Sequence, residues 1–208
     1  MSFFENTKKP EGLGGKIMVA MMNSGHGKLA DWGMSFLSLS TDAAVLDCGC
    51  GGGANLRKLL KRCPNGTVTG IDYSSVSVEK SKRLNAKAIS EGRCCVLEAS
   101  VAALPFEDNK FDVVTAFETV YFWPGLADCF REVYRAMKNG GTFLICNEAT
   151  GDTNKNDKWT QIISDMTIYR DVQLKTALEE AGFTDIQIHK NAHQDWLCVT
   201  GQKQEKHG

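Results

Sequence analysis

Two acids and a run of glycines are the residues best suited to chemistry. The run Val45-Leu46-Asp47-Cys48-Gly49-Cys50-Gly51-Gly52-Gly53-Ala54-Asn55-Leu56 passes from an apolar stretch through four glycines into a segment with helical spacing. Without a Cβ, such a turn can take left-handed torsions and let a ligand come close to the backbone. A helix opening at its end presents unpaired N–H groups, which suit an anionic or polar ligand. Gly49, Gly51 and Ala54 also fit the G-x-G-x-x-A pattern of nicotinamide-binding turns, so the turn alone specifies only a nucleotide-like ligand. Asp72, in Gly70-Ile71-Asp72-Tyr73-Ser74, can accept hydrogen bonds from both hydroxyls of a ribose. A charge-assisted bond of that kind is worth about 1.5–3 kcal/mol. A nicotinamide enzyme would place an acid there too. Asp47 is more discriminating, because a carboxylate just ahead of the turn suits an amino-acid ammonium rather than a pyrophosphate.

Regular structure must hold these residues, and from Asp42 onward apolar runs alternate with helical spacings. Ala43 to Cys48, Thr67 to Asp72, Arg93 to Ala99, Phe111 to Phe117 and Thr142 to Cys146 read as strands. Asn55 to Arg62 and a long charged stretch from about Ser75 to Glu91 read as helices. Leu126, Phe130, Val133 and Met137 fall at i, i+4, i+7 and i+11, which predicts an amphipathic helix. Asn139, Gly140 and Gly141 should end it. After a polar loop from Thr150 to Lys158, helices are expected at about Trp159 to Tyr169 and Val172 to Ala181. Phe183 to His189 and Trp196 to Thr200 should then form an antiparallel hairpin. The alternation predicts an α/β fold, a parallel sheet with helices on both faces. Ahead of it, Met18, Met22, Gly25, Leu29, Trp32 and Phe36 share one helical face. They predict two short helices bent at Ser24 to Gly27, a flap over residues 1–40 on a domain spanning 41–208.

Composition narrows the partners. A net charge of -1 offers no general attraction to nucleic acid, so none is expected as a partner. The basic clusters Lys58, Lys61, Arg62 and Lys80, Lys82, Arg83 read as solvated helix faces. No apolar run approaches the ~18 residues of a membrane span. Met1 to Pro10 lacks the apolar core of a secretory signal, which predicts a cytoplasmic protein. Eight cysteines include no CxxC pair, and Cys48, Cys95, Cys146 and Cys198 lie in apolar runs. Reduced, structural thiols and no metal site are therefore expected. A homo-oligomer, through the terminal hairpin or the methionine-rich segment, is compatible with the sequence.

Two further segments separate the ligand classes. Leu104-Pro105-Phe106-Glu107-Asp108-Asn109-Lys110-Phe111-Asp112-Val113-Val114 leads into the fourth strand, and Asn139-Gly140-Gly141-Thr142-Phe143 into the fifth. With the glycine turn and Asp72, they make Val45 to Glu148 resemble the class I S-adenosylmethionine-dependent methyltransferases. The likeness is to the small-molecule group that includes ubiquinone/menaquinone-type enzymes. This resemblance implies a Rossmann-like sheet of seven strands in the order 3-2-1-4-5-7-6, with the last strand antiparallel. It implies S-adenosylmethionine as the cofactor. Asp47, Gly49, Gly51 and Gly53 would line its methionine portion, with Cys50 in the same turn and Phe117 and Glu118 beyond the fourth strand. Asp72 would take the ribose and Tyr73 the adenine. Many family members carry Asp near position 100, against the adenine amine. Here Ser100 and Val101 stand there, so the serine hydroxyl or the valine backbone would have to serve.

Binding crevices of doubly wound sheets lie beyond the carboxyl ends of the strands. That puts Phe117-Glu118-Thr119-Val120-Tyr121-Phe122-Trp123-Pro124 at the mouth. The candidate catalytic residues are Glu118, as base or methionine-end contact, Tyr121, as a wall of the acceptor pocket, and His26 in the flap. A near-neutral pKa suits His26 to proton removal. Glu148, ending the fifth strand, is a similar candidate. No Asn-Pro-Pro-Tyr sequence is present, and Cys63-Pro64 reverses the Pro-Cys of cytosine C5 chemistry. A small-molecule methyl acceptor is the expectation, reached by direct in-line transfer. The alternatives are a non-catalytic S-adenosylmethionine-binding module and an NAD(P)-dependent oxidoreductase.

Overall fold

The computed structural model describes residues 27–151, 160 and 166–204. Its sheet has seven strands: β1 (Ala44–Cys48), β2 (Thr67–Asp72), β3 (Cys94–Glu98), β4 (Phe111–Phe117), β5 (Met137–Asn147), β6 (Phe183–Lys190) and β7 (Leu197–Lys203). They lie in the order β3-β2-β1-β4-β5-β7-β6. The first five are parallel, and β7 runs antiparallel to both β5 and β6. Both the order and the reversed last strand agree with expectation. The order reverses between β1 and β4, which opens a crevice at their carboxyl ends.

Among the described residues, the sheet is covered by the helices α1 (Gly27–Met34), α2 (Ala54–Arg62), α3 (Ser75–Leu84), α4 (Ala86–Ser90), α5 (Leu126–Ala136) and α6 (Asp171–Glu180). The central strands are apolar throughout because both faces are covered. Side chains alternate between two cores along each strand. Leu46, Val114, Ile145 and Val199 face α5 and α6, while Val45, Val113, Leu144 and Cys198 face α1 and α2. Phe130 and Val133 of α5 are fully buried, as their spacing predicted.

Several boundaries differ from the sequence reading. The charged stretch 75–91 breaks at Asn85 into α3 and α4. The Asn85 side chain is buried and donates to the carbonyls of Gly53 (3.1 Å) and Ser81 (2.9 Å), so it serves the glycine turn rather than helix continuity. Helix α5 stops at Ala136, one residue early, because Met137 already pairs with Phe111 as the start of β5. Residues 166–170 are not helical; the rest of the helix expected at 159–169 lies outside the described residues, apart from Thr160.

Helix α1 packs Leu29, Ala30 and Met34 into the core, with Trp32 half-buried. Gly33 lets it approach β5 closely, since a Cβ there would lie 2.6 Å from Cys146 Sγ. Two basic residues of α2 that read as solvated instead hold α1. Lys58 binds the Gly27 carbonyl (2.6 Å) and Asp31 (2.7 Å), and Arg62 binds the carbonyls of Met34 and Leu37 at the other end. Met18, Met22, Gly25 and the bend lie outside the described residues. Seven of the eight free cysteines are buried and Cys95 is exposed, as structural thiols should mostly be. Among the described residues, no helix is long and apolar enough to cross a membrane.

Candidate functional site

Strand β1 runs into the glycine turn, and the turn is stitched to β2 by its backbone. The N–H groups of Gly49 and Cys50 both donate to the Ile71 carbonyl, at 2.8 and 2.9 Å. Gly49 has φ +75°. A Cβ on it would sit 2.1 Å from Thr119 Oγ1, so both torsion and space demand glycine. Gly53, also left-handed, opens α2 with no side-chain cap, against Ser81 of α3 and Asn85 at the break that follows it. The helix therefore begins with its N–H end beside the turn.

Asp72 closes β2 with both carboxylate oxygens engaged. Oδ2 accepts from Gly51 N and Oδ1 from Ser74 N, each at 2.9 Å. Each oxygen keeps a further lone pair for a ligand hydroxyl. Burial raises its pKa, and the two backbone donors work against that rise. Asp47 is deeper, at 1% exposure against 8% for Asp72. Its one hydrogen bond is from Thr115 Oγ1 of β4, at 2.7 Å. Burial pushes its pKa to about 7, opposed by Thr115 and reinforced by the nearby Asp72 carboxylate.

A cavity of about 730 Å³ opens beyond the carboxyl ends of these strands. Five expected ligand contacts line it together: Gly49, Asp72, Tyr73, Ser100 and Val101. Tyr73 is 38% exposed at the cavity. The Ser100 hydroxyl accepts from Ala102 N at 3.2 Å, so it is already half used in its own loop. The opposite wall is Thr119, Phe122, Trp123, Pro124 and Gly125 with Thr167 and Tyr169. Among the described residues, no lysine or arginine lines the cavity. Its volume lies within the ~300–1,000 Å³ of small-molecule and cofactor sites.

Glu118 and Tyr121 form a separate network beside this wall. Tyr121 donates to Glu118 Oε1 at 3.1 Å and accepts from Ala149 N at 3.1 Å. The same Oε1 accepts from Glu148 N, just past β5. Glu118 takes φ +58°, unusual for a residue with a Cβ, and its N–H donates to the Cys146 carbonyl at 2.9 Å. Burial raises its pKa to about 8, against the lowering effect of the hydrogen bonds from Glu148 N and Tyr121, while the Glu148 charge adds to the rise. Burial also drives the Tyr121 phenol well above its usual value.

Cys50, Gly51, Gly53 and Asp47 lie in or under the turn without lining the cavity, and Phe117 packs on the α1 face against Gly33. His26 lies outside the described residues. Trp123 is 7% exposed and stacks among Phe130 and Phe143, so it anchors α5 as well as walling the cavity. The sequence places Thr119 at the mouth without giving it a role, and Ala99, Gly125, Thr167 and Tyr169 line the cavity with no such placement. Thr119 binds Trp123 Nε1 (3.2 Å), and only its contact with Gly49 reveals it. Thr167 donates its N–H to the Tyr121 carbonyl (2.9 Å), a long-range bond with no local signal.

Comparison with known proteins agrees with this geometry. The family described as a methyltransferase domain matches residues 46–145. Cycloartenol-C-24-methyltransferase of Arabidopsis thaliana is 31% identical over 71% of this chain, and cycloartenol-C-24-methyltransferase 1 of Oryza sativa subsp. japonica is 35% identical over 52%. The chain spans 46% and 31% of those two relatives, respectively. A solved SAM-dependent methyltransferase from Aquifex aeolicus superposes with a TM-score of 0.75 at 18% identity. That match covers 89% of this chain and 97% of the other, and shows a shared fold.

Proposed function

The chain belongs to the class I S-adenosylmethionine-dependent methyltransferases, and from there we propose that it transfers a methyl group directly to a small, neutral acceptor. The observation that carries this reading is the cavity beyond β1, β2 and β4, where Gly49 and Asp72 face an apolar, aromatic wall. The residues present fit the cofactor. Asp72 and Tyr73 line the cavity, and Asp47 is a buried acid under the turn with no cation acting on it among the described residues. Held by Asp72, Tyr73 and the glycine turn, the cofactor would supply an electrophilic methyl group at the mouth of the cavity.

The chain's own work is alignment, exclusion of water and handling of one proton. Alignment alone can supply several kcal/mol. Phe122, Trp123 and Pro124 make a dry wall for the acceptor, and an aromatic face also attracts a cationic sulfonium. Glu118 takes the acceptor's proton where the acceptor has one to lose. A base whose pKa stands near 8 works best just above neutrality. Tyr121 is a positioning residue, since its hydroxyl ties Glu118 to the end of β5. Ser100 or the Val101 backbone meets the adenine amine. The described wall, which has no lysine or arginine, disfavours phosphorylated acceptors, and the relatives' names point to sterols as the first acceptor class to try.

Calorimetric titration with S-adenosylhomocysteine, with NAD and NADP alongside, tests the cofactor half. Micromolar binding that is lost in Asp72→Ala is the expected result. Binding of a nicotinamide nucleotide instead overturns the reading. Radiolabelled methyl transfer to cycloartenol, squalene and phosphoethanolamine tests the acceptor half, and transfer to phosphoethanolamine alone would refute a neutral acceptor.

A further inference from the structure

The non-helical segment 166–170 is pinned at both ends. At one end the Thr167 N–H donates to the Tyr121 carbonyl at 2.9 Å. At the other, Arg170 caps α6: its N–H donates to Gln173 Oε1 at 2.9 Å, and its carbonyl accepts from Gln173 N and Leu174 N at 3.1 Å. The loop after β5 packs against the same stretch, where a Cβ on Gly151 would lie 3.1 Å from Arg170 Cγ. Between these anchors Tyr169 is half-buried, packed against the core under α5 and α6, and it lines the cavity.

This segment also holds the spare hydrogen-bonding groups of the far wall. Phe122, Pro124 and Gly125 bring no side-chain polar atom, while Trp123 Nε1 and Thr119 Oγ1 are bound to each other at 3.2 Å. Thr167 and Tyr169 bring the other two hydroxyls, and neither hydroxyl meets a hydrogen-bond partner among the described residues. A tyrosine that buries its ring normally finds a partner for its O–H, yet here ring and backbone are held without one. A hydroxyl is uncharged and can both donate and accept, so it matches an alcohol or a carbonyl oxygen. A few such groups in an otherwise apolar pocket are what orient a small ligand.

We propose that Tyr169, supported by Thr167, is the specificity site for the acceptor: its hydroxyl binds an uncharged oxygen on an otherwise apolar molecule. This rests on the neutral-acceptor reading above and narrows it to an apolar alcohol or ketone. Tyr169 orients the acceptor, while Glu118 handles the proton. The Thr167 bond to the Tyr121 carbonyl fixes the position of one relative to the other, because the Tyr121 hydroxyl binds Glu118.

The experiment is equilibrium dialysis of matched alcohol and hydrocarbon probes against the protein saturated with S-adenosylhomocysteine. The pairs are menthol with menthane, and cycloartenol with its deoxy hydrocarbon. The parent should bind the alcohol of at least one pair about tenfold more tightly than its hydrocarbon. Tyr169→Phe keeps the ring, and a thermal melt checks that it folds. It should abolish that preference or reverse it, because an unpartnered hydroxyl is costly to bury, and leave the Kd of the hydrocarbon unchanged. Thr167→Val should weaken the preference by less. Equal binding of alcohol and hydrocarbon by the parent, a preference that survives Tyr169→Phe, or binding of neither pair while S-adenosylhomocysteine binds overturns this proposal alone. No binding of S-adenosylhomocysteine, or methyl transfer to phosphoethanolamine alone, overturns the reading on which it rests.

Discussion

The carboxyl ends of β1 and β2 and those of β4 and β5 face the same crevice, yet they are built on different principles. At β1 and β2 the backbone does the shaping: Gly49 and Cys50 bond Ile71, and Gly51 bonds Asp72. At β4 and β5 side chains do it, with Tyr121 and Glu118 reaching across to the N–H groups of Glu148 and Ala149. A backbone-built end tolerates almost no added atom, because its positions are fixed by the sheet. A side-chain-built end can be trimmed one bond at a time.

Breaking the first end should therefore cost most. Gly49→Ala forces a Cβ into Thr119 and a left-handed torsion onto alanine, and should lower unfolding stability by roughly 3 kcal/mol or more. Denaturant unfolding measures it; a loss under about 1 kcal/mol would mean that the turn yields as readily as the other end.

The second prediction separates the acids by pH. An acid with a raised folded pKa stabilises the protein below its unfolded value, near 4, and loses that contribution as pH rises through the folded value. For Asp47 the loss runs from about 4 to about 7. Asp47→Asn should thus melt several degrees higher than the parent at pH 8 and gain much less at pH 4, a difference of roughly 4 kcal/mol at most. Equal gains at both pH values would show that Asp47 titrates normally.

The smallest effect is expected at the side-chain end. Tyr121→Phe removes one hydroxyl and leaves Ala149 N without that acceptor, at about 1–2 kcal/mol. It should also raise the Glu118 pKa further, because the Tyr121 bond lowers it. Affinity for S-adenosylhomocysteine should stay within about threefold, since about 0.6 kcal/mol corresponds to such a factor. A tenfold loss would merge the two ends into one network.

The same division explains what could be read from residues alone. The glycine turn, Asp72 and the strand order are local or periodic, and glycine and alternation write themselves into sequence. The Asn85 break could not be read, because its cause is a carbonyl at Gly53, 32 residues away. Thr119 was passed over beside Glu118 because its role is spatial, against Gly49. The α2 bases Lys58 and Arg62 look like any solvated pair until α1 is laid over them. Composition could not reveal that Glu118 sits at positive φ with its carboxylate spent partly on the β5 end.

The last strand of this sheet to leave the ribosome is an interior one. β7 lies between β5 and β6, and its Lys203 Nζ reaches the carbonyls of Tyr134 and Met137 at 2.8 Å. During synthesis β5 must wait with an open edge until residues 197–203 emerge, and β6 has no neighbour to pair with before then. Chains released early would carry an unpaired β5 edge, open to aggregation. Vectorial synthesis thus makes the final strand the step that closes the sheet.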